Sequence, residues 1–265
     1  MHFQKLKKER IEEIIETLRH SRITKYKTCN EQLQTSLKKE YASCRNKICP
    51  KYKSKVGVWA NTPFRCCNIK KEEVLEIIEL WLQKASLNLI SYILRIDRKT
   101  VWRVLKKVSR VLVPRHYNAA EVIVGDDTVV EIDESKFGKR KYNRGHHVDG
   151  VWILGAVERT GLRRIRITAV DDRTLNTLTS KIKECVKEDS MTYTDCWKGY
   201  NCLSNVHNSH ATGNHSKHFK DPETGVHINT IEGCWFGIKM HIPPKLRTKD
   251  NLNLYLVHYM ILRNE

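Results

Sequence analysis

The sequence of 265 residues lacks any long apolar segment. Its longest apolar stretches, such as 151–157, have the length of a β-strand, whereas a membrane-spanning helix needs about 20 residues. The first eight residues lack the apolar run of a secretory signal. Internal repeats and low-complexity tracts are also absent, and the hydrophobic share of 40% suits a buried core. We therefore expect a folded protein outside the membrane.

Cysteine usage narrows the expected compartment. Nine cysteines are an odd number, and no signal segment precedes them. This favours reduced thiols, some of them on zinc, in a reducing compartment. We expect the nucleus if the host is eukaryotic, which we favour, and the cytoplasm if it is bacterial.

Acidic residues are scarce in the first 120 residues, which hold 27 Lys and Arg against 11 Asp and Glu. The remaining 145 residues are nearly balanced, with 21 against 19. A segment this basic suits a polyanion such as duplex DNA, because each neutralised phosphate releases condensed counterions. A solvated lysine-rich surface or a nuclear-targeting segment would have the same charge.

Two regions are predicted before residue 121. Residues 1–70 contain a basic amphipathic helix and a cysteine-bearing region that resembles a degenerate zinc ribbon. Zinc ribbons use two Cys-x2-Cys pairs, but here the first spacing is longer and the second pair is adjacent. Buried free cysteines are the alternative. The candidate zinc ligands are Cys44, Cys49, Cys66 and Cys67, with Cys29 upstream.

Residues 71–120 are predicted to be a helix-turn-helix region for DNA binding. A helix over Leu87–Leu94, a break of three residues and a second helix from Arg98 match that motif. Generic three-helix packing is the alternative, and residues 114–127 resemble a linker. Apolar positions 101, 104, 105 and 108 would face the core, while the predicted DNA contacts are Arg98, Lys99, Arg103, Lys106 and Lys107.

Residues 121–265 change to an α/β pattern, with strands over 128–137, 148–158 and 163–170. Asp133 lies inside the first strand, Asp195 ends a later one, and Glu232 lies on a helix. Two strand aspartates and one helix glutamate can converge at the edge of a mixed sheet. Such hard oxygen ligands hold the Mg²⁺ or Mn²⁺ ions that phosphodiester chemistry needs.

Four sequence blocks resemble the Merlin superfamily of cut-and-paste DNA transposases and their bacterial insertion-sequence relatives. They begin at Asp133, Asp195, Asn214 and His227 and occur in the family's order. The resemblance implies an RNase H-like catalytic domain over 121–265, with Asp133, Asp195 and Glu232 as the catalytic triad that binds two Mg²⁺ or Mn²⁺ ions. Some bacterial relatives use another third ligand, so Asn229 is a reserve candidate.

The same resemblance guides the interpretation of other polar residues. Lys239 follows Glu232 by two helical turns and would bind a DNA phosphate, although a lysine near a helix C-terminus is also favoured by the helix dipole. Five histidines crowd one stretch, but His215 and His227 belong to the blocks and would support the active site by hydrogen bonding rather than form a zinc site. Asp171 and Asp172 are predicted to lie in a turn.

Together these patterns predict a transposase that cleaves transposon-end duplex DNA and joins it to target DNA, as a homodimer or larger assembly. One alternative is a domesticated, catalytically silent DNA-binding protein, which the irregular cysteine spacing would fit. Another is an RNase H-like nuclease without strand joining.

Overall fold

A computed structural model describes the following residues of the chain: 25, 28–30, 41–57, 69–119, 128–138, 150–200, 203, 209–213, 220–222 and 224–264. The chain divides into two compact units, Met1–Leu112 and Val113–Glu265. No helix of the described residues has the length and apolarity needed to cross a membrane. The predicted division into 1–70, 71–120 and 121–265 stays a prediction.

The described residues of the first unit form a small β-hairpin, two helices and most of a third. Strand β1 (Tyr41–Ser43) pairs antiparallel with β2 (Lys55–Gly57). Helices α1 (Lys71–Leu82) and α2 (Leu87–Leu94) follow, and α3 (Arg98–Ala119) spans the division between the units. The amphipathic helix predicted near the N-terminus lies outside the described residues, as do Cys66 and Cys67.

Local capping explains the bounds of α2 and α3, which begin where the sequence predicted. The Ser86 hydroxyl accepts a hydrogen bond from the Leu89 amide and starts α2. Arg95 ends it in the left-handed conformation, with φ of 55°. Asp97 then accepts hydrogen bonds from the amides of Lys99 and Thr100.

The two faces of α3 separate as predicted. The predicted core positions are buried, namely Val101, Val104, Leu105 and Val108. Of the basic residues, Arg98, Lys99, Arg103 and Lys106 are exposed and Lys107 is half-buried.

The linker predicted from residue 114 is wrong over its first six residues, because α3 continues to Ala119 with Pro114 inside it. A proline in a helix interior is costly, so tertiary contacts must offset it. Two hydrogen bonds of 3.0 Å supply them, from the Tyr117 hydroxyl to the Ile167 carbonyl and from Arg166 to the Tyr117 carbonyl. The rest of the predicted linker, 120–127, lies outside the described residues.

The second unit is built on a five-stranded mixed sheet with the order β5-β4-β3-β6-β7. The first three strands pair antiparallel, whereas β3, β6 and β7 are parallel. The strands are β3 (Val129–Phe137), β4 (Val151–Glu158), β5 (Ile165–Val170), β6 (Met191–Asp195) and β7 (Ser209–Gly213).

Helices cover the sheet, and the predicted α/β class is confirmed. Alternate residues of β3, among them Val130 and Ile132, pack in a core with Leu178 and Ile182 of α4 (Leu175–Cys185). The other helices are α5 (Asn229–His241) and α6 (Lys249–Arg263), and α6 meets β5 through the bond from the Ile167 amide to the Met260 sulfur. This strand order, flanked by helices, is the RNase H-like fold.

Candidate active site

Two of the predicted catalytic residues lie level on neighbouring parallel strands. Glu131 of β3 is in register with Tyr193 of β6, and Asp133 and Asp195 each follow by two residues. Side chains two residues apart on a strand lie on the same face. The fold therefore places Asp133 and Asp195 on one face of adjacent strands, with Asp133 in the middle of β3 and Asp195 at the carboxyl end of β6.

Burial shapes the electrostatics of Asp133. Desolvation is the main cause that raises its pKa from 3.8 to about 7, and the charges of Glu134 and Asp195 raise it further. The Trp235 indole opposes this by donating a hydrogen bond of 2.8 Å to Asp133 Oδ2. A bound cation would stabilise the charge of a half-buried carboxylate that lies beside other carboxylates.

Helix α5 follows β3 along the same face. Its first turn donates the Thr230 and Ile231 amides to Glu131 Oε2, at 2.8 and 2.9 Å. One turn later Trp235 reaches Asp133, and its ring meets that of Phe137 edge-on with centroids 6.2 Å apart. Successive turns of α5 therefore contact Glu131 and then Asp133 along β3.

Gly155 allows this close approach. It pairs with Asp133 across β3 and β4. A Cβ atom there would lie 2.7 Å from Trp235 Cη2 and 3.0 Å from Ile231 Cδ1. Only glycine leaves room for both side chains, so Gly155 sets how near α5 comes to the sheet.

The remaining predicted residues also lie on α5. Glu232 is exposed, one turn before Trp235. Lys239 is half-buried, with Nζ 5.6 Å from the centre of the Phe137 ring. Among the described residues, the three triad carboxylates do not form a group in which all three lie within 4.8 Å of one another. The first residue of α5, Asn229, has a buried Oδ1 that accepts no hydrogen bond within the described part of the chain.

A second polar cluster backs the two aspartates from the opposite face. Glu134 accepts a hydrogen bond from the Tyr200 hydroxyl and lies 3.4 Å from Arg173 Nη1. Burial raises its pKa, and the charge of Asp195 raises it too. The Arg173 guanidinium lies 3.8 Å from the ring centre of Trp152 and 4.8 Å from that of Trp197. Asp195 Oδ1 in turn accepts the Trp197 amide at 3.1 Å.

The two described histidines of the histidine-rich stretch, His210 and His227, have different hydrogen-bond partners. His227 Nδ1 lies 2.8 Å from Arg159 Nη2, and His210 Nε2 lies 2.9 Å from the Thr194 hydroxyl. Predicted support by His215 cannot be placed, because that residue lies outside the described part, as do His207 and His218. Asp172 lies in the predicted turn, where it accepts from the amide and hydroxyl of Thr174, the residue that caps α4.

The first unit brings three cysteines together. The ligand atoms of Cys29, Cys44 and Cys49 all lie within 4.8 Å of one another, with 3.6 Å between the sulfurs of Cys29 and Cys44. No other group of three ligand-type residues meets this criterion among the described residues. Cys29 was absent from the predicted ligand set, because its distance along the chain from Cys44 matches no short zinc-binding spacing.

Sequence reasoning also missed Glu131 and Arg159. Glu131 is fully buried and accepts hydrogen bonds from both the first turn of α5 and Arg159 Nε. The signal was a charged residue at position 131, two before Asp133, where strand alternation places it on the same face. Its partners lie as many as 100 residues away, so no local pattern identifies them.

Two comparisons of the sequence with known proteins agree on the broad class of protein that this chain resembles. Residues 118–249 match the family model of the ISXO2-like transposase domain. A protein of Haemophilus influenzae described as an uncharacterized transposase-like protein is 39% identical over 82 residues, which are 30% of this chain and 64% of that protein. The match thus spans somewhat under two thirds of the relative's length.

Among solved structures, the catalytic core domain of BIV integrase aligns over 49% of this chain and 80% of its own, at 11% identity and a TM-score of 0.32. The RNase H-like assignment depends instead on the strand order of this chain. The segment that matches the transposase family contains the whole five-stranded sheet and α5. Both sequence comparisons support a transposase.

Proposed function

We propose that this chain is a DNA transposase that cleaves transposon-end DNA and transfers the freed strand to target DNA, using Asp133, Asp195 and Glu232 as its catalytic triad. The observation that carries the proposal is the level placement of Asp133 and Asp195 on parallel strands, with α5 passing the same point. The match to the transposase domain family supports it. The four sequence blocks favour a transposase of the Merlin type.

Helical geometry supports Glu232 as the third ligand. At about 100° per residue, Glu232 lies about 60° from Trp235, and Cys234 lies on the other flank. Burial raises the pKa of the Cys234 thiol, and the nearby positive charge of Arg263 on α6 opposes that increase. Helix α6 packs against β5. The flank with Glu232 therefore lies away from α6, and we propose that it faces the side of the sheet that carries β6 and Asp195. A glutamate side chain has the reach to approach a cation from that flank.

Asn229 is the reserve for the same role. Its amide oxygen is buried without a hydrogen bond from the described residues, which suits an oxygen kept for a cation. It lies one helical turn before Glu232, so either residue could complete the ligand set.

The donor set fits Mg²⁺ or Mn²⁺, because it offers hard carboxylate oxygens around an Asp133 whose charge is disfavoured by burial. Two such ions would activate the attacking oxygen and neutralise the leaving one. The hydrogen bond from Trp235 would orient Asp133, and Lys239, on the Glu232 side of α5, is the proposed contact for a backbone phosphate. Water attacks first, the 3′-hydroxyl attacks target DNA later, and no covalent enzyme–DNA intermediate is expected.

DNA recognition is assigned to α2 and α3 as a helix-turn-helix. The exposed basic side chains of α3 lie opposite its buried apolar face. Their proposed ligands are the transposon ends, which a homodimer or larger assembly would hold together. The nucleus of a eukaryotic host, or the cytoplasm of a bacterial one, is where such a protein would act.

A structural zinc site is the second proposed cofactor site. Two buried thiols and a half-buried one within 4.8 Å give the sulfur-rich surroundings that zinc prefers. The thiols differ in acidity: burial raises the pKa of Cys44 to about 11, whereas a hydrogen bond with the Lys51 backbone lowers the pKa of Cys49. Cys29 therefore joins Cys44 and Cys49 as a proposed ligand, and Cys66 and Cys67 remain candidates for the fourth position.

The experiment begins with a search for inverted repeats beside the gene and uses the full chain with labelled duplexes that carry such repeats. We expect binding without metal, and cleavage and joining only with Mg²⁺ or Mn²⁺. Asp133→Asn should bind but not cleave, whereas Asp172→Asn, a change in the turn before α4, should cleave normally. Binding without any cleavage would favour the silent DNA-binding protein, and cleavage without joining would favour a simple nuclease.

A further inference from the structure

Glu131 is a buried acid of the second unit, and both of its side-chain oxygens accept hydrogen bonds. It is fully buried on β3, and its two oxygens accept the Thr230 and Ile231 amides, the Thr230 hydroxyl and Arg159 Nε. A carboxylate that accepts several charged or backbone donors holds those donors in a fixed geometry. Glu131 thereby caps the N-terminal turn of α5 from a neighbouring strand.

Arg159, which directly follows β4, also contacts the start of α5. Its Nη2 donates to the His227 carbonyl and contacts His227 Nδ1 at 2.8 Å, just before α5 begins. Its guanidinium lies 4.8 Å from the ring centre of Tyr193 of β6. One ion pair therefore joins β3, β4, β6 and the start of α5.

This arrangement acts directly beside the candidate site. Glu131 lies two residues before Asp133 on the same face of β3. The turn that it holds carries Asn229 and leads into Glu232 and Trp235. Because a helix is stiff over one turn, fixing Thr230 and Ile231 also fixes the approach of the next turn to Asp133.

We propose that Glu131, held by Arg159, is a positioning residue that sets α5 on β3 and so places Trp235 and Glu232 relative to Asp133. The part that concerns Glu232 rests on the proposed function. The part that concerns Trp235 does not, because the indole hydrogen bond exists in the protein alone.

Glu158 provides a matched control. It is also fully buried on the sheet and paired with an arginine, Arg164, at 3.1 Å. Its hydrogen-bond donors, Thr160 and Arg164, belong to the turn between β4 and β5 rather than to α5. Glu158→Gln thus disturbs a buried ion pair of the same sheet without touching the helix start.

The test compares full-length Glu131→Gln, Glu158→Gln and the parent protein by two readouts. The first is the ¹H–¹⁵N resonance of the Trp235 indole, assigned with Trp235→Phe. The second is the dissociation constant for Mn²⁺, measured by electron paramagnetic resonance without DNA. We expect Glu131→Gln to shift the indole resonance and weaken Mn²⁺ binding about tenfold or more, as with supports of metal ligands. Glu158→Gln should leave both unchanged, even if it lowers the melting temperature equally.

Unchanged readouts in Glu131→Gln, or equal changes in both variants, would overturn the positioning role. If Glu131→Gln does not fold, Thr230→Ala, which removes one hydroxyl donor to Glu131, and Arg159→Lys take its place with the same expected directions. If the parent protein binds no Mn²⁺, the metal assignment of the proposed function fails, and the indole resonance alone decides the positioning role.

Discussion

The two units differ in where they keep their charges. In the described part of the first unit, basic side chains are exposed along α3 and the buried positions of that helix are apolar. In the second unit, Glu131 and Glu158 are buried within the sheet, with Asp133 and Asp195 half-buried beside them. An exposed cationic surface suits a phosphate backbone, whereas acids held inside a fold suit either structural pairing or a cation. This difference between the units predicts that DNA binding and DNA cleavage can be abolished by different substitutions.

The strongest test of that separation is the identity of the third ligand. We expect Asp195→Asn and Glu232→Gln each to reduce Mg²⁺-dependent cleavage to background, because each removes a charge that holds a cation. Binding of transposon-end DNA should remain within a few-fold of the parent protein. Cleavage and filter-binding assays on the same preparations measure both effects.

Asn229→Ala is the paired variant for that experiment. Normal cleavage by Glu232→Gln together with loss in Asn229→Ala would transfer the third role to Asn229. Loss of DNA binding along with cleavage in the triad variants would break the division between the units.

Removal of metal should affect the first unit instead. If Cys29, Cys44 and Cys49 hold zinc, the purified protein should contain about one zinc ion per chain, and chelation should unfold the cysteine region, because ligation energy there is folding energy. Metal analysis and circular dichroism with a chelator measure this. Cys185→Ser, a change at a buried thiol of the second unit, is the control and should keep the zinc. Zinc-free protein with an unchanged fold would make these cysteines ordinary buried thiols.

Local patterns predicted much of this fold from the sequence. The bounds of α2 coincide with those predicted, and strands β3, β4 and β5 differ from their predicted ranges by at most three residues at either end, because capping residues and alternating apolar positions are local signals. Asp133 and Asp195 were recognisable because each begins a sequence block that resembles the transposase family.

The features that the sequence concealed all depend on distant partners. Pro114 indicated a linker, but contacts with β5 keep it helical. Cys29 reaches Cys44 only through folding of the intervening chain. Glu131 has the composition of any strand acid, and its role depends on a helix about a hundred residues later. Tertiary contacts outweighed local propensity at each of these places.

A substitution at Gly155 should change the second unit without changing any charge. In Gly155→Ala the added methyl would meet Trp235 and Ile231 at 3.0 Å or less, so α5 must shift from the sheet. We expect a loss of about 1–3 kcal/mol in the free energy of unfolding, as for an overpacked core. Gly161→Ala is the control, because a Cβ there meets nothing within 4 Å. Urea denaturation measures both, and equal stability of the two variants would show that α5 is not held closely at Gly155.

The smallest expected effect tests the basic surface of α3 one residue at a time. Arg103 is exposed on α3, and Lys183 is an exposed basic residue of α4 in the second unit. A plot of the logarithm of the DNA-binding constant against the logarithm of salt concentration has a negative slope. If α3 contacts DNA phosphates, Arg103→Ala should reduce the magnitude of that slope by about 0.9, the value for one lost phosphate contact. Lys183→Ala removes the same charge and should leave the slope unchanged. Fluorescence anisotropy with a labelled duplex at several salt concentrations gives both slopes. Equal decreases would mean that the DNA senses overall charge rather than α3, and the two units would then share the binding that the comparison assigns to the first.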